Sequence, residues 1–305
     1  MPSARTILTR IVFGAIMIAA IAAVLAVEYY QPWPAMIDIQ GLLLAAVIVV
    51  LCVMALRELK RIASAAGAGL LGVSATVGTL LVATQPTWHK FVPVDFVLFS
   101  DFSPLSFVPM MTPADVWCMI GLIVAGVFLE QMIRHRLDAA LARVGATLLA
   151  VAYLGVGAAI ILAIRVDKGD KEGVQALILF LAAVKCTDIG AYFTGSAIGR
   201  HKLIPWLSPG KSWEGLLGGL AAAAGASMLV VWLFGMRMPL AWAAAFGVIV
   251  GAVGQFADLC ESLLKRSARI KDSGALVPEF GGVLDVLDSP LLAAPAAYVM
   301  LSLLM

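Results

Sequence analysis

Asp258, Asp285 and Asp288 are the side chains of this sequence best placed for chemistry. Asp285 and Asp288 are spaced i, i+3, so both carboxylates lie on one face of a helix, where they can meet a third on Asp258. Mg2+ takes a few carboxylates together with phosphate oxygens and water, so this spacing predicts a Mg2+ site made of Asp258, Asp285 and Asp288. Two segments, 196–214 and 258–288, together hold 7 of the 21 Lys/Arg and 7 of the 19 Asp/Glu. A patch for anionic lipid would be basic alone. Mixed signs suit a phosphate ligand bound with a divalent cation. A solvated face is the ordinary explanation of any single charge, but carboxylates at the edges of apolar spans are costly and point to function.

Residues 258–269 read as a helix that carries Asp258, Ser262, Lys265 and Arg269 on one face, with Glu261 and Lys265 as an i, i+4 ion pair. Asp272-Ser273-Gly274 ends that helix. Pro278 and Gly281-Gly282 predict a tight turn with close backbone approach. Upstream, Ser208-Pro209-Gly210-Lys211-Ser212 has the composition of a phosphate-gripping turn, and equally that of a plain turn; the Walker spacing is absent. Lys185 and Asp188 share a helix face inside an apolar stretch. They either neutralise each other or place Asp188 in a polar cavity within the membrane. Gly190, Gly195 and Gly199 leave room for close helix approach. His89, His135 and His201 are isolated, which argues against a histidine metal site.

The elements that must position these residues are membrane helices. Of the 305 residues, 62% are hydrophobic and 13% charged, against about half and about a quarter in a soluble domain. That excess excludes a soluble enzyme and a disordered chain, and a net charge of +2 excludes a nucleic-acid binder. Cys52, Cys118, Cys186 and Cys260 are scattered and read as small apolar residues rather than disulfides or metal ligands. A crossing takes about 20 apolar residues. Nine candidates are 8–27, 40–56, 67–84, 115–133, 145–165, 174–195, 214–235, 240–257 and 287–305, the first read as a retained span rather than a signal peptide. The expected fold is all-α and polytopic, with a polar cavity on the cytoplasmic side. It divides into N-terminal spans over 1–143 and a catalytic region over 144–305. With the N-terminus inside, 15 Lys/Arg fall in inner segments and 5 in outer ones, Lys185 lying within a span. This is the skew of the positive-inside rule, and it puts both charged segments in the cytoplasm. Aromatic-rich 28–39 and 85–114 read as interfacial anchors.

At the two charged segments the sequence resembles the phosphatidate cytidylyltransferases, or CDP-diacylglycerol synthases. Their signature, roughly S-x-x-K-R-x4-K-D-x5-P-G-H-G-G-x-x-D-R-x-D, is matched at Ser262, Lys265, Arg266, Lys271, Asp272, Pro278, Gly281, Gly282, Asp285 and Asp288. Their D-x-G-A-Y…G…H-K…S-P-x-K-T-x-E-G stretch is matched over 188–215. Glu279, Phe280 and Val286 depart from the pattern, which has glycine, histidine and arginine there. The resemblance covers about the C-terminal 120 residues and implies an enzyme of the inner membrane that joins CTP to phosphatidic acid with Mg2+, giving CDP-diacylglycerol and pyrophosphate. It assigns catalysis to Asp258, Lys265, Asp285 and Asp288, with room for a second cation. Substrate binding falls to Asp188, Ser208, Lys211, Ser262, Arg266, Lys271, Asp272, Gly281 and Gly282. It also allows a homodimer, which small-residue helix faces permit. The alternatives are a CTP-dependent lipid kinase of the polyprenol or phytol type, and a non-catalytic membrane protein on the same scaffold.

Overall fold

Within a bilayer a chain has no water to satisfy its backbone, so long apolar runs close their hydrogen bonds as helices. The computed structural model of the protein describes residues 23–29, 41–90, 113–270, 273–274 and 282–305. Residues 23–29 are helical. The following elements are α1 (Leu42–Ala65), α2 (Gly72–Thr84), α3 (Pro113–Ile133), α4 (Ala140–Val166), α5 (Asp170–Ile198), α6 (Trp213–Phe234), α7 (Leu240–Ser267) and α8 (Leu284–Leu304). Seven of these, all but α2, are long and apolar enough to cross a membrane. The fold is therefore all-α and polytopic, as the composition requires.

The expected span 8–27 lies outside the described residues except at its helical end. The expected span 67–84 is the 13-residue α2, shorter than the ~20 residues of a full crossing. Its chain runs on in a 3-10 turn over Gln85–Lys90. A small departure from pure helix lies between α5 and α6, where β1 (Lys202–Ile204) and β2 (Ser208–Ser212) pair antiparallel. The four cysteines are free.

Small residues set how close the helices come. A Cβ placed on Gly190 of α5 would lie 2.5 Å from the Ala222 Cβ of α6, and one on Gly219 would lie 2.7 Å from the Thr187 carbonyl oxygen. Any side chain there would push α5 and α6 apart, as the glycine spacing predicts. Helix α8 carries Pro290 and Pro295 in its interior. Each lacks an N–H and so leaves the carbonyl four residues earlier, Val286 or Leu291, without its helical donor. Each faces a neighbouring helix. Lys185 of α5 donates to the Val286 carbonyl at 3.0 Å. Gly157 of α4 backs onto the Leu291 carbonyl, so closely that a Cβ there would stand 2.6 Å from its oxygen.

Two apolar clusters hold the bundle. One joins α5, α7 and α8 through residues such as Phe180, Val184, Phe246, Val250 and Ala294. The other joins α1, α4 and α8 through Leu56, Leu59, Leu154, Leu162, Leu284 and Leu291. Helix α8 belongs to both, with its first turn, at Leu284, in the second.

Candidate active site

The C-terminal end of α5, the β1–β2 hairpin, the start of α6, the end of α7 and the start of α8 surround a cavity of about 550 Å3. Of the candidate residues, Asp188, Ser208, Lys211, Asp258, Asp285 and Asp288 line it. The hairpin is fixed from α6. Ser212 caps that helix by accepting from the Gly215 N–H at 3.1 Å. Glu214 accepts from the backbone N–H groups of Arg200 and His201, each at 3.2 Å. Ser212 thus meets a donor the helix start leaves open, and Glu214 ties the segment before β1 to α6. Ser208–Ser212 is thus a strand held against the cavity rather than a free turn.

The charged side chains form a connected set. Lys211 lies 2.5 Å from Asp258 and also donates to the Gln255 carbonyl at 3.1 Å. The Gln255 side chain donates to Asp188 at 3.0 Å. Lys265 is bound 2.7 Å from Glu261 and 2.7 Å from Asp285, so one ammonium bridges α7 and α8. The expected Glu261–Lys265 pair is present. Asp285 also accepts from Ser273 Oγ at 2.9 Å and from the Gly282 N–H at 2.6 Å. It therefore works as a first-turn cap of α8 as well as a partner of Lys265.

The three carboxylates that gather are Asp258, Glu261 and Asp288, with one oxygen of each within 4.8 Å of the others. Asp258 and Asp288 belong to the trio expected from the sequence. In the third place stands Glu261, where the sequence reading put Asp285. Glu261 is 1% exposed and Asp288 3%. One Glu261 oxygen, Oε1, is buried with no hydrogen-bond partner among the described residues. A divalent cation with oxygen ligands at about 2.0–2.6 Å brings opposite ligands to about 4–5 Å of each other, so the donor set fits such an ion. The orphaned oxygen argues the same way, because a buried unpaired acceptor is costly.

Ser262 is half-buried on α7, and no hydrogen bond of its side chain links it to the cavity residues. Arg266 is exposed and reaches the Ile270 carbonyl at 3.5 Å, beyond the helix end at Ser267. Lys271, Asp272 and Gly281 lie outside the described residues. Gly282 is buried, and a Cβ on it would run into Glu58 and Ser273. The close approach expected at the glycine pair is thus present at Gly282.

Four residues escaped the sequence reading of the site. Glu58, near the end of α1 and 4% exposed, accepts from Ser273 Oγ at 3.1 Å, the Val283 N–H at 2.9 Å and the Leu284 N–H at 2.8 Å. Its signal was an acid in an apolar run, masked by Arg57, Lys60 and Arg61. Gln255 was one polar residue in α7. Glu261 was noticed only as the partner of Lys265. Tyr153 sits in a π-helical stretch of α4, Val151–Val156, with its hydroxyl buried and unpartnered among the described residues. That hydroxyl is within electrostatic reach of Asp258, Glu261 and Asp288.

The chain is similar to the phosphatidate cytidylyltransferase of Brucella suis biovar 1 (strain 1330), 40% identical over 149 residues, which is 48% of this chain and 53% of that protein. The phosphatidate cytidylyltransferase of Bacillus subtilis (strain 168) is 34% identical over 160 residues, 52% of this chain and 59% of that protein. That of Mycobacterium leprae (strain TN) is 38% identical over 134 residues, 44% and 43% of the two chains. The chain spans about half the length of the curated relatives it matches. The model of the cytidylyltransferase family, in contrast, matches residues 8–304. Nearly the whole sequence is thus accounted for by one family description, and the protein belongs to the cytidylyltransferase family.

Proposed function

We propose that the protein joins CTP to phosphatidic acid, giving CDP-diacylglycerol and pyrophosphate. The observation that carries this reading is the meeting of Asp258, Glu261 and Asp288 with Lys211 at one cavity among membrane-spanning helices. An oxygen of the lipid phosphate forms a bond to the α-phosphorus of CTP. The bond from that phosphorus to the bridging oxygen breaks, and the electron pair leaves with pyrophosphate. No general base is needed, because a phosphate monoester is already ionised near neutral pH. The work left to the protein is to position two anions and offset their charge.

In this reading Asp258, Glu261 and Asp288 hold Mg2+, which when bound shields phosphate charge and stabilises the leaving group. Asp285 keeps Lys265 and the first turn of α8 in place. Ser208 and Lys211 contact the phosphates of CTP from the hairpin. Lys211, paired with Asp258 in this structure, would turn its ammonium to those phosphates. The family resemblance would also give Ser262, Arg266, Lys271, Asp272, Gly281 and Gly282 to substrate binding, and Asp188 orients the cavity wall through Gln255. The catalytic region is 144–305, and the protein works in the inner membrane with the hairpin and the α7–α8 connection in the cytoplasm. Glu58 supports that placement: its bonds to Ser273 and α8 bring the basic end of α1 to the same end of the bundle as the hairpin.

The test is product analysis. Purified protein in detergent with CTP, phosphatidate and Mg2+ should release one pyrophosphate for each CDP-lipid formed. CDP together with a newly phosphorylated lipid would favour the kinase alternative. No consumption of CTP would favour a non-catalytic scaffold.

A further inference from the structure

Lys185 is the sixteenth of the 29 residues of α5, so at 1.5 Å per residue its Cα is about 20 Å from the helix end at Ile198. An ammonium at that depth in a membrane helix is costly and calls for a partner. Among the described residues, Lys211 lines the acidic cavity and Lys185 and Lys265 lie beside carboxylates of its wall; two of the three are held in contact ion pairs. Lys211 is 2.5 Å from Asp258, and Lys265 is 2.7 Å from both Glu261 and Asp285. Lys185 differs. Its nearest carboxylate oxygen, on Asp188, is 3.9 Å away, beyond hydrogen-bond reach. Its one hydrogen bond goes to the Val286 carbonyl at 3.0 Å, the acceptor that Pro290 leaves free.

An ammonium has three donors. Two of them on Lys185 have no hydrogen-bond partner among the described residues. Its side chain is also 41% exposed, against 15% for Lys211 and 13% for Lys265. Asp188 faces the ammonium across 3.9 Å without bonding it, its other oxygen accepting from Gln255 Nε2 at 3.0 Å. A neutral carbonyl fixes the position of the ammonium without cancelling its charge. The result is a fixed cation beside Asp188, a residue of the cavity wall, and against the turn of α8 that carries Asp285 and Asp288.

We propose that Lys185 binds a phosphate group of a substrate beside Asp188 at the wall of the cavity, held in place by the carbonyl that Pro290 frees. This rests on the cytidylyl-transfer reading, which puts two phosphate-bearing substrates in the cavity, and either CTP or the lipid can supply the group. The charge holds the phosphate, and the proline-freed carbonyl aims the charge.

The experiment uses full-length protein in detergent: wild type, Lys185→Met, Lys185→Arg, and Lys185→Met combined with Pro290→Ala. Steady-state rates give kcat and the KM for CTP and for phosphatidate. Calorimetry gives the affinities for CTP with Mg2+ and for dioctanoyl phosphatidate. Lys185→Met should raise one KM and weaken the matching affinity tenfold or more, with kcat changed less than threefold. The substrate affected names the source of the phosphate. Lys185→Arg, which keeps the charge, should stay within threefold of wild type. Pro290→Ala gives Val286 back a helical donor, so it rescues Lys185→Met only where the lysine serves that carbonyl alone. Rescue by Pro290→Ala, loss of kcat alone, or wild-type values within twofold in Lys185→Met would each overturn the proposal. A wild type that makes no CDP-lipid sinks the cytidylyl-transfer reading instead. Calorimetry then still decides on Lys185, against the proposal if wild type and Lys185→Met bind both ligands equally or neither.

Discussion

Asp258 has competing partners: the Lys211 ammonium on one side, and the carboxylates of Glu261 and Asp288 on the other. Among the described residues, five carboxylates, Asp188, Asp258, Glu261, Asp285 and Asp288, lie with three ammoniums, Lys185, Lys211 and Lys265. Counted as ionised, this set is negative, which favours a bound cation. Replacing Asp258 or Asp288 by Asn, or Glu261 by Gln, should lower kcat about 100-fold or more while the protein still extracts and purifies. Asp285→Asn should act through Lys265 and the α8 cap, lowering turnover about 10–100-fold, the cost typical of groups that orient ligands. Steady-state CDP-lipid formation checks all four, and near wild-type turnover in Glu261→Gln would count against its place in the trio. At this scale the sequence was legible in part. The spacing of Asp285 and Asp288 correctly placed both at the cavity. What it did not reveal is that a first-turn acid bends back to the Gly282 N–H and to Lys265. Glu261, i+3 from Asp258, remained free to turn inward.

Glu58 joins elements that are far apart in sequence, capping the first turn of α8 from the end of α1. Truncating it to Ala leaves the buried N–H groups of Val283 and Leu284 without their acceptor, while the Ser273 hydroxyl keeps Asp285. Each unsatisfied group costs about 1–3 kcal/mol, so Glu58→Ala should lose about 2 kcal/mol or more. A lower thermal midpoint in detergent, with faster amide exchange confined first to the start of α8, would be the expected result. Ser212→Ala removes an N-cap and should cost about 1 kcal/mol, read as a smaller fall in the same midpoint. Gly157→Leu should separate α4 from α8 at the Leu291 carbonyl and destabilise more than Ser212→Ala does, by the same melt. Helix positions were legible from apolar run length, and the close contacts of α5 from its glycines. The π-helical stretch that places Tyr153 was not, because it depends on packing rather than local composition. Nor was the Glu58 cap, whose partners lie more than 200 residues away.

Across the whole molecule, charge and site share one end. Arg57, Lys60 and Arg61 at the end of α1 meet the α8 start through Glu58, and the Lys211 hairpin lies at the same cavity. That distribution predicts an orientation with this end cytoplasmic. In a background with the native cysteines replaced, Cys at the exposed position of Lys202 should be shielded from an impermeant maleimide in intact cells, and Cys at that of Arg237 should react. The reverse labelling would invert the topology.

The central claim is that Asp258, Glu261 and Asp288 together gather a divalent cation at the cavity. Mn2+ titration of the purified protein, followed by electron paramagnetic resonance, addresses it without any substrate. The account predicts a Mn2+ site in the wild type that Mg2+ displaces and that weakens at least tenfold in both Glu261→Gln and Asp288→Asn. Equal Mn2+ affinity in the wild type and both variants would contradict it.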